Sequence, residues 1–219
     1  MKRCSSQWND EMFRLHPTPY TGLAGFVERM RIRVIRSFAD IKLSDTVLEV
    51  GCEAGGLMAV LPECKRLVGV DISGMALIQA QGRLSSLKRN AEFVQCDATE
   101  ALPFSKGEFS VIICSEMLEH VEDPAEVIAN IVKISTPLTR IILSVPNEKI
   151  KIRLKRWLCK IGFMQAFMKK IEMGQSEWHV QVFSKPIFLE LISKTLCLVK
   201  LDLVLGMHII ALCRPRTDI

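Results

Sequence analysis

The feature that most constrains the fold is a regular alternation of short β-rich runs with helix-like segments through the middle of the chain. Strands that alternate with helices predict a mostly parallel sheet covered by helices on both faces, which is a three-layer α/β fold. The five runs are TVLEV (46–50), RLVGV (66–70), AEFVQ (91–95), FSVIICS (109–115) and RIILSV (140–145).

Two further segments flank this alternation. LVKLDLVL and MHIIALC surround Gly206 and predict an antiparallel hairpin at the edge of the sheet. Upstream, six apolar residues at helical spacing predict a helix that packs one face on the sheet: Leu23, Phe26, Val27, Met30, Val34 and Phe38. We therefore expect one domain over residues 1–219, with a helical amino-terminal extension over 1–44.

Composition limits the protein class. The chain has 219 residues, of which 49% are hydrophobic, enough to bury a single large core. The first residues are polar, and no apolar run reaches the roughly 18 residues of a membrane span, so we expect no leader and no transmembrane segment. The eight cysteines lack ligand-like spacing. This is typical of reduced thiols and predicts a cytoplasmic protein.

A glycine-rich loop follows the first predicted strand, with glycines at Gly51, Gly55 and Gly56. Glycine allows the backbone to approach a ligand closely. The loop lacks the lysine and hydroxyl residue of a P-loop. Glu53 stands where a dinucleotide site has its second glycine, and its carboxylate would repel a pyrophosphate. The loop therefore favours a ligand without phosphate.

Two acids follow the next strands. Asp71 ends the second run, where a carboxylate can accept both ribose hydroxyls, and Asp97 follows the third run, where it can accept an adenine amino group. An adenosine with a positive, phosphate-free tail matches these groups, which indicates S-adenosylmethionine. The alternative is a Rossmann-like protein whose glycine loop only makes a tight turn.

Four sequence blocks carry a family resemblance: Glu49-Val-Gly51-Cys52-x-x-Gly55, Val70-Asp71-Ile72-Ser73, Cys96-Asp97-Ala98 and SEMLEHVEDP. Over about residues 40–147 the chain resembles the class I S-adenosylmethionine-dependent methyltransferases, in particular the ubiquinone-pathway O-methyltransferases that act on small molecules. The resemblance implies a Rossmann-like, seven-stranded sheet whose last strand is antiparallel. Glu53 replaces a usual glycine, and the usual Pro-Gly-Gly turn before the fifth strand is absent.

The resemblance also implies roles for individual residues in cofactor binding. Glu49 and the loop from Gly51 through Cys52 to Gly55 would hold the methionine moiety of the cofactor. Asp71 would bind the ribose. The rest of the implied set is Ile72 packed on adenine, Asp97 and the amide of Ala98 at the base edge, and Ser115 at the crevice.

The segment SEMLEHVEDP places Glu116, Glu119 and His120 on one face if it is helical. Methyl transfer needs an aligned acceptor and often a base for its proton, and histidine has a suitable pKa. We expect His120 and Glu116 to be catalytic. The alternative is that His120 and Glu119 only support the cofactor pocket.

A metal site is a third interpretation of this segment. Two carboxylates and a histidine can ligate a divalent ion that orients and acidifies a hydroxyl. The small-RNA 3′-terminal 2′-O-methyltransferases have a similar cluster with a later histidine, which here would be His179. That histidine would otherwise line the substrate pocket.

A basic insertion spans about residues 147–176. Residues 149–170 contain eight lysines and arginines and no acid, whereas the whole chain has a net charge of +5. Its apolar residues recur at helical spacing and include Trp157. This predicts an amphipathic lid helix or, through 149–171, contact with an anionic membrane. RNA is less favoured, because few aromatic residues are available for base stacking.

These features together predict an enzyme that transfers a methyl group from S-adenosylmethionine to an oxygen or nitrogen of a small molecule. A metal-assisted RNA 2′-O-methyltransferase and a non-enzymatic S-adenosylmethionine-binding regulator are the alternatives. The sequence does not identify the acceptor, because one fold supports many chemistries.

Overall fold

A computed structural model describes residues 4–15, 22–148, 150 and 179–216. Seven strands form one sheet in the order β3-β2-β1-β4-β5-β7-β6. β1 to β5 are parallel, and β7 is antiparallel to both β5 and β6. The strands are β1 (Thr46–Val50), β2 (Arg66–Asp71), β3 (Glu92–Gln95), β4 (Val111–Ser115), β5 (Arg140–Pro146), β6 (Leu196–Val204) and β7 (His208–Pro215).

The predicted fold class is confirmed, including the antiparallel last strand and the hairpin at the sheet edge. Gly206, in the turn between β6 and β7, has a φ of +72°, a left-handed conformation that favours glycine. The α-helices of the described residues are α1 (Ser6–Leu15), α2 (Gly22–Ala39), α3 (Gly74–Ser86), α4 (Pro124–Ile134) and α5 (Lys185–Ser193).

Two apolar clusters cover the two faces of the sheet. One joins alternate strand residues such as Val47 and Ile113 to α2 and α3, and the other joins Leu48 and Ile112 to α4 and α5. The alternation follows the two-residue period of a strand whose faces are both buried. The carboxyl ends of the parallel strands are thereby left as an open edge.

Helix α2 packs on the sheet as predicted, but through a shifted face. Phe26 is exposed, whereas the buried line is Val27, Arg31, Ile35 and Ala39. Residues four apart stand above one another on a helix, so this line faces the sheet most directly, and Met30, Val34 and Phe38 of the predicted stripe pack beside it, partly buried. The prediction for Phe26 is wrong, and a buried arginine takes its place in the interface.

No helix within the described residues is long and apolar enough to cross a membrane. Nearly all of the predicted basic insertion, including Trp157, lies outside the described residues.

Candidate active site

The glycine loop sits at the carboxyl end of β1 and is held by the neighbouring strand. The amides of Gly51 and Cys52 donate to the carbonyl of Val70 at 2.8 and 3.0 Å. Gly51 has a φ of +74°, and a Cβ there would lie 2.5 Å from Met117 Cγ. The loop therefore requires glycine at this position for both its conformation and its packing.

Glu53 adopts a left-handed conformation at the centre of the loop, with a φ of +48°. Its amide donates to Asp71 Oδ2 at 2.9 Å. A non-glycine residue at positive φ costs about 1 kcal/mol or more, so this amide contact stabilises a backbone that a glycine would adopt freely. The departure from the usual glycine thus leaves the loop geometry intact.

Asp71 lies at the end of β2 and is oriented by two backbone amides. Besides Glu53, the amide of Ser73 donates to its Oδ1 at 2.9 Å. Burial raises the pKa of Asp71, and the two amide hydrogen bonds act in the opposite direction. An oriented carboxylate with remaining lone pairs is suited to accept the two hydroxyls of a ribose.

The turn after β3 brings the predicted adenine-binding residues to the same edge. Asp97 Oδ1 accepts from Thr99 N at 2.9 Å and Thr99 Oγ1 at 2.7 Å, which fixes the side chain in its turn. Ala98 is buried, and its carbonyl accepts from Asn130 Nδ2 at 3.1 Å. The carbonyl of Ile72 accepts from Gln95 Nε2 at 3.0 Å.

Glu49 is a deeply buried acid of this edge. It is 3% exposed, and its Oε2 has no hydrogen-bond partner within the described residues. Burial raises the pKa of Glu49 to about 8, against an opposing effect of Arg31. A buried carboxylate oxygen without a partner fits a site that receives a hydrogen-bond donor from a ligand.

Arg31 is a residue that the sequence interpretation missed. It is 5% exposed, pairs with Glu28, and donates to Ser115 Oγ at the end of β4. The signal in the sequence was its spacing, because Arg31 lies four residues from both Val27 and Ile35 on the buried face of α2. Arg31 offers a positive charge to the carboxylate of an amino-acid moiety, and Glu49, once it has lost its proton, offers a negative charge to the ammonium.

The acid and histidine segment after β4 forms a compact cluster with a distant residue. Single ligand atoms of Glu119, His120 and His179 all lie within 4.8 Å of one another. The amides of Val180 and Gln181 donate to the carbonyl of Glu119 at 2.7 and 3.0 Å, which brings His179 to this site. The structure thus brings together three of the four residues that the metal interpretation joined, and Glu116 is the one left out.

His120 and His179 also contact each other and further acids. His120 Nε2 is 3.9 Å from Glu119 Oε1, and the two imidazole rings are 5.1 Å apart. His179 Nδ1 lies 3.1 Å from Glu148 Oε1. A carboxylate on one ring nitrogen orients the other, which is a common arrangement around metal-binding histidines.

Glu116 does not join this cluster, and the predicted shared face is wrong. Leu118–His120 form a single 3₁₀ turn, and Glu116 has a φ of +53°, so the segment is not an α-helix there. The Glu116 carboxylate instead accepts from Ser144 Oγ at 3.0 Å and lies 2.9 Å from His208 Nδ1.

Ser115 links the two sides of the site. Its Oγ lies 2.8 Å from Ser144 Oγ and accepts from Arg31. A continuous polar chain therefore runs from α2, through the ends of β4 and β5, to the start of β7. Ser115 is the last residue of β4, and Ser144 and His208 are further members of this polar chain that the sequence did not indicate.

Buried cysteines near the site are unsuited to nucleophilic chemistry. Cys52 and Cys114 are almost fully buried, and burial raises the pKa of both thiols well above the usual range. Thiols of this kind stay protonated and act as small apolar side chains.

Comparison with known proteins gives the following relatives. Residues 47–137 match the family model described as a methyltransferase domain. The chain is 31% identical over 126 residues to a ubiquinone biosynthesis O-methyltransferase from Thiobacillus denitrificans, covering 57% of this chain and 54% of that protein. It is 32% identical over 163 residues to the protein of the same name from Idiomarina loihiensis, covering 73% and 64%. The matched region thus spans between about half and two thirds of these relatives.

Solved structures show the same fold at low sequence identity. A magnesium protoporphyrin IX methyltransferase from Synechocystis, with bound S-adenosylhomocysteine, superposes with a TM-score of 0.70 at 15% identity and covers 96% of each chain. An N-methyltransferase from Bradyrhizobium japonicum, also with S-adenosylhomocysteine, gives 0.63 at 20% identity and covers 96% of this chain and 94% of its own.

Proposed function

We propose that this chain, a member of the class I S-adenosylmethionine-dependent methyltransferases, transfers a methyl group from S-adenosylmethionine to a hydroxyl oxygen of a small molecule. The observation that carries the proposal is that two buried groups lie near each other beside the glycine loop: a Glu49 oxygen without a hydrogen-bond partner among the described residues, and the guanidinium of Arg31. These charges complement the two charged groups of the methionine moiety. The O-methyltransferases named above support oxygen as the acceptor.

Cofactor binding would distribute over three neighbouring turns. Glu49 would accept from the ammonium and Arg31 would donate to the carboxylate, while Gly51 and Cys52 bring the backbone close. Asp71 would accept the ribose hydroxyls, Ile72 would pack on adenine, and Asp97 with Ala98 would bind the base edge. When bound, S-adenosylmethionine supplies an electrophilic methyl group on a sulfonium.

The acceptor would enter from the side of β4 and β5. We assign His120 as the base that takes the proton from the acceptor hydroxyl, with Glu119 beside it to stabilise the imidazolium. Glu116 would act at a distance from His120, by fixing the end of β4 through Ser144 and His208. The role expected for Glu116 therefore changes from direct catalysis to positioning.

A catechol is a simple probe for this activity, because its two hydroxyls make it a small aromatic oxygen acceptor. We expect calorimetric binding of S-adenosylmethionine and transfer of a labelled methyl group to the catechol. Arg31→Met should weaken cofactor binding, whereas Arg33→Met, an exposed arginine on the same helix, should not. Equal affinity for both variants would contradict the assigned methionine site.

A divalent metal is the second candidate, because Glu119, His120 and His179 form a donor set of one carboxylate and two imidazoles. These residues would hold the ion, which would lower the pKa of a nearby acceptor hydroxyl. EDTA should then abolish turnover, Mn²⁺ should restore it, and calorimetry should detect Mn²⁺ binding that His179→Ala removes. Full activity in EDTA and no Mn²⁺ binding would exclude this candidate.

Location and partners are also part of the proposal. We propose a cytoplasmic enzyme that touches anionic membranes through residues 149–171, supported by the basic composition of that segment. Binding to phosphatidylglycerol vesicles should weaken as salt rises and be lost on changing Lys155, Arg156 and Lys160 to glutamate. A wild-type protein that ignores the vesicles at low salt would contradict the membrane part alone.

A further inference from the structure

Residues Cys4–Asp10, which include the first half of α1, contact two turns of the candidate cofactor site and are here called the strap. Ser6 Oγ donates to the carbonyl of Ile72 at 2.9 Å. Asp10 Oδ1 accepts from Ser73 Oγ and from the amide of Met75 at 3.2 Å.

The other end of the strap contacts the turn that follows a different strand, β4. Cys4 Sγ donates to the carbonyl of His120 at 3.3 Å, in the turn that follows β4. Ile72 and Ser73 follow β2, and β1 lies between β2 and β4 in the sheet. The contacts of the strap therefore fall on both sides of the carboxyl end of β1, which is where the Gly51–Gly55 loop begins.

The strap is tied to the site through polar groups rather than through the core. Neither apolar cluster includes a described side chain of α1. Gln95 Nε2 extends the attachment to β3 by donating to Ser6 Oγ at 3.2 Å. Segments with few buried apolar contacts open at lower free energy than the core, without unfolding the domain.

We propose that the strap closes the adenosine end of the cofactor site and that Asp10 is a positioning residue that keeps it closed. This inference rests on the proposed function, since it requires that the site binds S-adenosylmethionine. Entry of the cofactor and release of S-adenosylhomocysteine then both require the strap to leave the turns after β2 and β4.

The strap also contacts residues beside both proposed binding sites, the one for the cofactor and the one for the acceptor. The same segment reaches Ile72 and Ser73 beside the adenosine site and His120 beside the acceptor site. Closure of the strap thus fixes the turn that carries the assigned base while it covers the cofactor.

Stopped-flow measurement of S-adenosylhomocysteine binding tests the inference. Asp10→Asn keeps an oxygen acceptor but removes its charge, and it should raise both the association and the dissociation rate constants by about three- to tenfold, the range expected when a charge-assisted hydrogen bond becomes a neutral one. Because both rates rise, the dissociation constant should change little, and the thermal midpoint should stay that of the wild type. Glu11→Gln, the adjacent exposed acid with the same loss of charge, should leave both rates unchanged.

A second variant separates the effect of a lost hydrogen bond of the strap from the effect of a changed charge. Ser6→Ala removes the bond to Ile72 without a change of charge and should speed dissociation in the same way. Wild-type dissociation rates in both Asp10→Asn and Ser6→Ala would overturn the strap while the proposed function stands. A wild-type protein that binds neither S-adenosylmethionine nor S-adenosylhomocysteine would overturn both.

Discussion

The two sides of the open sheet edge are held by different kinds of hydrogen bond. At the ends of β1, β2 and β3, the cofactor side, backbone amides of the loop hold the site, since Gly51 donates to the carbonyl of Val70 and Glu53 donates to the carboxylate of Asp71. At the ends of β4 and β5 and the start of β7, the acceptor side, side chains bond to side chains, as in the hydrogen bond from Ser144 to Glu116.

This difference separates a fixed binding surface from an adjustable one. Backbone contacts depend on the strands themselves and leave little freedom for a different ligand. Side-chain networks change with single substitutions and can rearrange when a ligand enters. We infer that the cofactor side determines what donates the methyl group and that the acceptor side determines what receives it.

The comparison predicts that the acceptor side can be disabled without disturbing the cofactor side. His120→Gln should lower kcat by about 10²–10⁴ because a base is removed, while the calorimetric dissociation constant for S-adenosylmethionine stays within about twofold of wild type. Retained turnover would contradict the assignment of the base, and a large loss of affinity would show that the two sides are not independent.

A substitution on the cofactor side should instead weaken the binding of S-adenosylmethionine. Asp71→Ala should weaken S-adenosylmethionine binding by roughly 2–3 kcal/mol, about 30- to 150-fold, because charge-assisted hydrogen bonds to the ribose are lost. The control is Asp202→Ala, an exposed acid on β6, for which calorimetry should give the wild-type value. An unchanged affinity in Asp71→Ala would mean that the ribose lies elsewhere.

A third prediction concerns the rigidity of the glycine loop. Gly51→Ala should lower the free energy of unfolding by about 1–3 kcal/mol, since its Cβ would lie 2.5 Å from Met117 Cγ at a φ of +74°. Gly82→Ala in α3 is the matched control, because a Cβ there meets nothing within 4 Å. It should stabilise by about 0.5–1 kcal/mol in urea unfolding. Equal effects at both positions would contradict a constrained loop.

The smallest expected effect is a pH dependence of cofactor binding. Because burial raises the pKa of Glu49 to about 8, the free protein holds a proton on this group at neutral pH. The ammonium of the cofactor favours the carboxylate, so binding releases a proton, and affinity rises with pH up to about 8, by at most about tenfold per unit. Calorimetry in buffers of different ionisation enthalpy measures the proton, and Glu49→Gln should abolish it. Release of a proton by that variant would assign the effect to another group.

The same division explains what the sequence could predict. The positions of Asp71 and Asp97 followed from their places at strand ends, because turn residues stay close to the strand that precedes them. The glycine loop was equally local, since three glycines in six positions restrict the backbone directly. The fold class followed from the alternation of strands and helices, which many residues specify together.

The acceptor side was less predictable because its contacts join distant parts of the chain. Arg31 lies 84 residues from Ser115, and no local pattern links the two. Glu116 was placed with His120 on the assumption of a helix, and the left-handed turn at Glu116 directed its carboxylate towards His208. Spacing predicts neighbours only when the secondary structure is known, and a single turn of a different type changes the partner.

The position of β7 between β5 and β6 has a consequence for synthesis of the protein on the ribosome. β6 leaves the ribosome first, yet it pairs with β7 and has no hydrogen bonds to β5. Until residues 208–215 emerge, one edge of β5 has no strand beside it, and β5 is largely apolar, so this edge is a site for association with other chains. His208, the partner of Glu116, arrives with the same strand. The polar chain of the acceptor side is therefore completed in the step that protects the nascent sheet from aggregation.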